Sequence, residues 1–156
     1  MCFNAAKSWE LGWYSARHKT LTPNRSDSYK GELVSFLRNP NYSRGGKMII
    51  KLNASDNRDY FINFNLARGF NSGTREGRNQ VLIVDGANGR PSNLVAKLGE
   101  GDTWYKKKDG RKFYVKVKNI YANTESGYAT VEITTKCVGL SWSQRKEWYN
   151  CKFDKQ

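Results

Sequence analysis

Histidine is almost absent from this chain, which contains one, His18, among 156 residues. Catalytic zinc sites take two or three of their ligands from histidine or cysteine, usually together with a carboxylate or an open water position. Serine triads and Cys–His dyads would have to use this same imidazole. Because His18 lies between Arg17 and Lys19, we interpret it as a solvated residue at a strand edge. No cofactor is expected in this chain.

Long apolar runs are also missing. No run approaches the ~20 residues that a membrane-spanning helix needs, and residues 1–15 lack the basic start and apolar stretch of a signal peptide. Hydrophobic residues make up 38% and aromatic residues 13% of the chain, fractions too high for intrinsic disorder. A chain of this length and composition predicts one folded domain without a membrane partner.

Acidic residues are scarce beside basic ones: 14 Asp and Glu accompany 27 Lys and Arg, which leaves a net charge of +13. Residues 1–78 hold 13 basic and 6 acidic side chains, and residues 79–156 hold 14 and 8. Nucleic-acid-binding domains concentrate basic residues on one face or helix. The even spread and the absence of a known DNA- or RNA-binding motif argue against nucleic acid as the partner.

The three cysteines are Cys2, Cys137 and Cys151. A disulfide between Cys137 and Cys151 would close a loop of 13 intervening residues and stabilise the tail by ~3 kcal/mol in the chain-entropy model. Cys2 would then need a partner elsewhere, as in a segment of a longer secreted protein. The alternative is three reduced thiols in an intracellular protein. Export is favoured by three Asn-x-Ser/Thr sequons, at Asn24, Asn41 and Asn53.

Apolar spacing predicts one short helix and then strands. Three- and four-residue spacing over Asn4–Trp13 indicates a helix. Nine segments rich in β-branched and aromatic residues follow: Lys19–Thr22, Gly31–Leu37, Lys47–Leu52, Asp59–Leu66, Asn79–Val84, Asn93–Leu98, Thr103–Lys107, Lys112–Tyr121 and Tyr128–Thr135. We predict a mainly β fold, an antiparallel β-sandwich or barrel-like domain of eight to nine strands. The helix occupies residues 1–15, the β-domain 16–135 and a disulfide-closed tail 136–156.

The segment from residue 103 to residue 121 predicts a basic hairpin with an Asp109-Gly110 turn. Alternation places Phe113, Val115 and Val117 on a buried face. Such a hairpin could pair with phosphates, sulfates or uronates and stack an aromatic ring on a sugar. The alternative is a set of solvated lysines that discourage edge pairing. The candidate polyanion- or glycan-binding residues are Trp104, Lys106, Lys107, Lys108, Arg111, Lys112, Tyr114, Lys116 and Lys118.

The N-terminal stretch, Cys2-Phe-Asn-Ala-Ala-Lys-Ser-Trp-Glu-Leu-Gly-Trp13, resembles the segment that follows the catalytic half in gametolysin-type zinc metallopeptidases. The stretches Asp59–Asn65 and Phe70–Val81 are similar to the continuation in algal and diatom members. The resemblance runs from residue 2 to about residue 135. Its most specific residues are Cys2, Trp9, Leu11, Gly12 and Trp13.

The resemblance implies that the zinc-binding His-Glu-x-x-His helix lies upstream of this segment, in a secreted endopeptidase acting on extracellular or cell-wall proteins. Zinc is then expected only in a full-length parent, and this fragment alone is expected to be inactive. Trp9, Leu11 and Trp13 would pack against the upstream catalytic domain, or an ordinary amphipathic helix would fold onto the sheet. We rank a non-catalytic C-terminal β-domain first, a stand-alone carbohydrate- or polyanion-binding module second and an intracellular nucleic-acid binder third.

Overall fold

A computed structural model describes residues 4–23, 27–36, 45–54, 58–108, 110–124 and 126–137. These residues form one α-helix, α1 (Ala5–Glu10), and nine strands. The strands are β1 (His18–Leu21), β2 (Ser28–Val34), β3 (Ile49–Leu52), β4 (Asp59–Asn65), β5 (Gln80–Gly86), β6 (Asn93–Leu98), β7 (Thr103–Lys108), β8 (Arg111–Tyr121) and β9 (Tyr128–Cys137).

The strands form two sheets, one of five strands in the order β1-β3-β4-β5-β6 and one of four in the order β2-β9-β8-β7. All neighbours are antiparallel except β1 and β3, which pair in parallel from His18 opposite Ile49 to Leu21 opposite Leu52. Strand β2, which lies between them in sequence, belongs to the other sheet. In the described part of the chain the sheets keep separate edge strands, so the fold is a sandwich and not a closed barrel.

The core lies between the two sheets. Alternate side chains along the strands of both sheets point into this core, as a β-sandwich requires. Ile62 and Phe64 come from β4, and Phe113, Val115 and Val117 come from β8; each is at most 1% exposed. Each such side chain contributes roughly 1.5–3 kcal/mol by leaving water. The opposite face of each sheet is therefore the surface on which a site can lie.

Helix α1 packs on the outer face of the five-stranded sheet. Asn4 caps it by accepting a hydrogen bond from the Lys7 backbone N–H at 3.1 Å. A helix this short is not stable alone, and its buried face, including Ala6, joins a second apolar cluster on β4 and β5. A Cβ at Gly86 would lie 2.8 Å from the Ala6 Cβ. Glycine at position 86 therefore lets the helix approach the sheet.

The predicted fold class is confirmed, and each predicted strand has its counterpart. The predicted N-terminal helix is present but ends at Glu10 rather than Trp13. Strand β2 begins three residues earlier than expected, at Ser28, because Ser28, Tyr29 and Lys30 pair with β9. Strand β9 runs through Cys137, past the predicted domain boundary at 135. Backbone pairing with the neighbouring strand, rather than the β-propensity of the local residues, therefore determines where β2 begins and where β9 ends. The tail from residue 138 onward lies outside the described residues.

Candidate functional site

The β7–β8 hairpin divides the predicted binding residues between two faces. Its two-residue turn, with Gly110 at φ +73°, pairs Lys108 with Arg111 and so sets the register of the whole hairpin. Side chains alternate outward from that pair. Trp104, Lys106, Lys108 and Arg111 lie on the inner side with the core residues of β8. Lys107, Lys112, Tyr114 and Lys116 lie on the outer side.

Three of the four inner residues are buried or packed against other side chains. Trp104 is half-buried against the core and meets Tyr60 edge to face, with ring centroids 5.1 Å apart. Lys108 places its Nζ 6.0 Å from the centroid of the Tyr60 ring. Arg111 is 6% exposed. Lys106 is exposed at the sheet edge, on the inner side. These residues form no common outward surface with Tyr114.

Three lysines form a row across the outer side of the four-stranded sheet. Lys107 on β7 is the register partner of Lys112 on β8, and Lys112 is the register partner of Lys136 on β9. Adjacent strands lie ~4.8 Å apart, so the row spans about 10 Å. Among the residues that the structure describes, none forms an ion pair with these three lysines. Like charges directly opposite one another destabilise a sheet, and a bound anion would remove that repulsion.

A row of hydroxyl-bearing side chains lies two residues farther along the same face. Tyr105 is the register partner of Tyr114, which in turn pairs with Thr134. The Tyr105 side chain is 55% exposed. Phenol rings offer an apolar surface together with a hydroxyl group, a combination suited to a ligand that remains partly solvated when bound. We call the two rows together the lysine–tyrosine face; its residues are Tyr105, Lys107, Lys112, Tyr114, Thr134 and Lys136.

The carboxylate of Glu132, which pairs with two lysines, borders this face. Glu132 on β9 accepts Lys30 Nζ at 3.0 Å through Oε1 and Lys118 Nζ at 3.2 Å through Oε2. Hydrogen bonds from Lys30 and then Lys118 hold the pKa of the Glu132 carboxyl below its usual range. Lys116, the register partner of Glu132, continues the basic surface. Lys118 sits at a β-bulge, where the β8–β9 register shifts between Val117 and Asn119.

The tryptophan motif after α1 is split between packing and exposure. Trp9 stacks on His18, with ring centroids 4.1 Å apart and planes 9° apart, and it also contacts Phe61. Gly12 adopts φ +72°, a left-handed conformation in which the chain turns. Leu11 and Trp13 remain 52% and 45% exposed. Among the described residues, Trp9 therefore packs the motif against His18 and Phe61, whereas Leu11 and Trp13 leave apolar surface exposed beside it.

His18 is at the start of edge strand β1, as expected, but it is half-buried rather than solvated. Its Nε2 lies 2.8 Å from the Trp13 carbonyl oxygen, an acceptor that requires the proton on Nε2. Burial lowers the pKa of the imidazole below 6.5, and the hydrogen bond to Trp13 opposes that shift. The role visible in the structure is packing.

A cleft that sequence reasoning did not anticipate lies on the outer face of the five-stranded sheet. Its volume is about 690 Å³. Asn63 on β4 and its register partner Leu82 on β5 lie in its lining, and Phe70 is a further lining residue from the loop after β4. Asn63 is 5% exposed, and its Oδ1 has no hydrogen-bond partner among the described residues. Phe70, by contrast, is 73% exposed.

The remaining predicted residues lie partly outside the description. Cys2, Cys151, Asn24 and Asn41 fall outside the described residues, and the Cys137 side chain is not described. Asn53 is half-buried, and its Nδ2, the atom that would carry a glycan, donates a hydrogen bond to Thr22 Oγ1 at 3.1 Å.

The described residues contain no group of three or more His, Cys, Asp or Glu side chains placed to share a metal ion. None of their helices has the length and apolar character needed to cross a membrane. Comparison with protein-family models, curated proteins and solved structures found no match to this chain. The resemblance to gametolysin-type peptidases stays a prediction.

Tyr105 and Lys136 are the members of the lysine–tyrosine face that sequence reasoning missed. Once Asp109-Gly110 is taken as a two-residue turn, counting outward pairs Tyr105 with Tyr114, so that signal was present in the sequence. The register between β8 and β9 carries no such local signal. Lys136 therefore becomes part of the face only when the four-stranded sheet assembles.

Proposed function

We propose that this chain is the non-catalytic C-terminal β-domain of a secreted gametolysin-like zinc metalloendopeptidase, and that it binds anionic glycan through the lysine–tyrosine face. The row of Lys107, Lys112 and Lys136 carries the binding proposal. A sheet with lysines at three neighbouring register positions is most stable when sulfate or uronate groups lie beside them. The neighbouring Tyr105 ring offers a surface for a sugar.

The parent protein is proposed from a different observation. Leu11 and Trp13 belong to the motif that resembles the peptidase family, and both expose apolar surface beside α1. An upstream catalytic domain would cover such surface, which a monomeric domain seldom leaves open in quantity. In this proposal zinc and the general base belong to the parent's catalytic half. The domain would then hold the enzyme on an acidic extracellular matrix.

The binding proposal is tested with a size-defined heparin oligosaccharide by isothermal titration calorimetry. Replacing Lys107, Lys112 and Lys136 with Gln should weaken binding by at least about tenfold and lower the slope of log affinity against log salt by roughly 2, because up to three ion contacts disappear. The control removes the same charge elsewhere on the exposed surface, through Lys19→Gln, Arg75→Gln and Arg90→Gln.

Equal weakening by the two triple variants would show that the charge of +13 acts only as a diffuse field. Tyr105→Ala adds a test of stacking, and loss of the ring from a sugar contact should weaken binding by about tenfold, by analogy with base stacking on aromatic residues. A DNA oligonucleotide that binds as tightly as the glycan, with the same loss in the lysine variant, would instead support the nucleic-acid reading.

The parent protein is tested by reading the full-length transcript. An in-frame His-Glu-x-x-His codon pattern upstream of residue 1 is the predicted result. An upstream stop codon without that pattern would contradict the peptidase assignment. It would leave the binding proposal standing as a stand-alone basic β-sandwich.

Export is tested separately, by mapping disulfides and glycans in protein made through a secretory route. Non-reducing peptide mapping should find Cys137 joined to Cys151 and Cys2 unpaired with either. Glycan is expected at Asn24 and Asn41, and at lower occupancy at Asn53, whose Nδ2 is already bonded to Thr22. Recovery of Cys137 and Cys151 as free alkylated thiols would count against export.

A further inference from the structure

We infer that the cleft on the outer face of the five-stranded sheet binds a neutral saccharide. This inference is independent of the lysine–tyrosine face, which lies on the other sheet. The floor belongs to β4 and β5, where Asn63, Leu82 and Val84 point away from the core. The volume of the cleft, about 690 Å³, is within the size range of small-molecule sites.

The scarcity of charged groups among the described lining residues decides the ligand class. Among its sixteen described lining residues Glu76 is the charged one, and its carboxylate is paired with Lys97 at 3.1 Å. The chain as a whole carries +13. None of the described lining residues carries an ammonium or guanidinium group with which to hold a sulfate, phosphate or carboxylate. A neutral ligand is the one that the lining fits.

Polar groups around the cleft are amides and hydroxyls. Most of the amides are already engaged: Asn4 Nδ2 donates to Ser92 Oγ at 2.6 Å, and Asn71 Nδ2 donates to Asn65 Oδ1 at 2.6 Å. Asn63 differs, because its buried Oδ1 lacks a donor among the described residues. Buried polar groups are normally paired. A sugar hydroxyl can supply the missing donor and accept a hydrogen bond in return.

The aromatic wall matches the remaining surface of a sugar. Phe70 presents an exposed ring from the loop after β4, and Phe36 lines the cleft from the segment after β2. The C–H face of a pyranose packs on such rings while its hydroxyls face amides. Leu82 and Leu94 extend the apolar part of the lining.

The experiment is a calorimetric titration of the full chain with four neutral oligosaccharides, the hexamers of glucose (β-1,4), mannose, xylose and galactose. At least one should bind. Phe70→Ala should weaken that binding by roughly tenfold without loss of folding, because the ring is exposed. Asn63→Leu, which keeps the side-chain volume and removes the unpaired oxygen, should weaken it as well.

Tyr121→Ala is the control, an exposed aromatic residue on the opposite sheet and outside the cleft lining, and it should leave neutral-saccharide binding unchanged. The Lys107, Lys112 and Lys136 triple variant should also bind normally, which separates this inference from the proposed function. The inference is overturned if none of the four oligosaccharides binds. It is overturned equally if Phe70→Ala and Tyr121→Ala weaken binding to the same extent.

Discussion

His18 and Trp104 illustrate how burial changes the meaning of single residues. Both stand in basic surroundings in the sequence, beside Arg17 and Lys19 and beside Lys106 and Lys107. In the folded chain His18 stacks on Trp9, and Trp104 meets the Tyr60 ring at the edge of the core. The neighbour that faces outward, Tyr105, takes the place that Trp104 held in the sequence-based site. A shift of one residue along a strand exchanges a core ring for a surface ring.

The lowered pKa of His18 predicts a pH-dependent stability. Burial lowers the pKa in the folded state, so as the pH falls the unfolded chain takes up its proton first, near 6.5. Between the folded and unfolded pKa values the unfolded state binds more protons, and the free energy of unfolding therefore decreases as the pH falls through that window. Urea unfolding measured between about pH 5 and 8 should show this decrease.

His18→Phe keeps a ring on Trp9 and removes the titrating group, and it should flatten the profile in that range. This is the chain's one histidine, so no other imidazole can produce the slope. An equally steep profile in the variant would refute the assignment.

At the scale of elements, the β7–β8–β9 ladder concentrates charge that the sequence spreads evenly. Lys107, Lys112 and Lys136 are distributed along the chain over 30 positions, yet their registers place them in one row. Four positions farther along β8, Lys116 faces Thr103 on one side and Glu132 on the other. Strand β8 therefore carries Lys112 between two like charges and Lys116 beside the opposite charge of Glu132.

That contrast predicts opposite effects of the same substitution. Lys112→Thr should raise the free energy of unfolding by roughly 0.2–1 kcal/mol at low salt, because it removes two repulsions and adds a β-branched residue. Lys116 is also half-buried on β8. Lys116→Thr removes the attraction to Glu132, so this variant should gain less stability than Lys112→Thr or should lose stability. The difference between the variants should shrink as salt screens the charges. Equal effects of the two substitutions in urea unfolding would contradict the repulsive row.

Strand positions were predictable because period-two alternation and Gly, Asn and Asp breaks are local signals. The buried face of β8 followed from that alternation alone. The parallel pairing of β1 with β3 did not, because a crossover through the other sheet leaves no local mark. The cleft was likewise beyond prediction. Asn4, Phe36, Asn63, Phe70 and Ser92 come together in its lining only through the tertiary fold.

For the whole molecule, the two outer faces of the sandwich differ in chemistry. The four-stranded sheet presents lysines and tyrosines, and the five-stranded sheet presents a cleft with one charged lining residue among those described. Helix α1 covers part of the second face and leaves Leu11 and Trp13 exposed. The proposed anion-binding face, the proposed saccharide cleft and the exposed apolar surface beside α1 would together suit an accessory role on a polysaccharide-rich matrix.

The proposed binding of anionic glycan is confined to one place rather than spread over the whole basic surface. Its most direct test is a two-dimensional NMR titration of the isotope-labelled chain with a size-defined heparin oligosaccharide. Backbone amide shifts should concentrate at Tyr105, Lys107, Lys112, Tyr114 and Lys136. Amides of Lys19, Arg75 and Arg90, which are exposed cations elsewhere, should stay nearly unchanged. Shifts of similar size at both groups of residues would contradict a dedicated site.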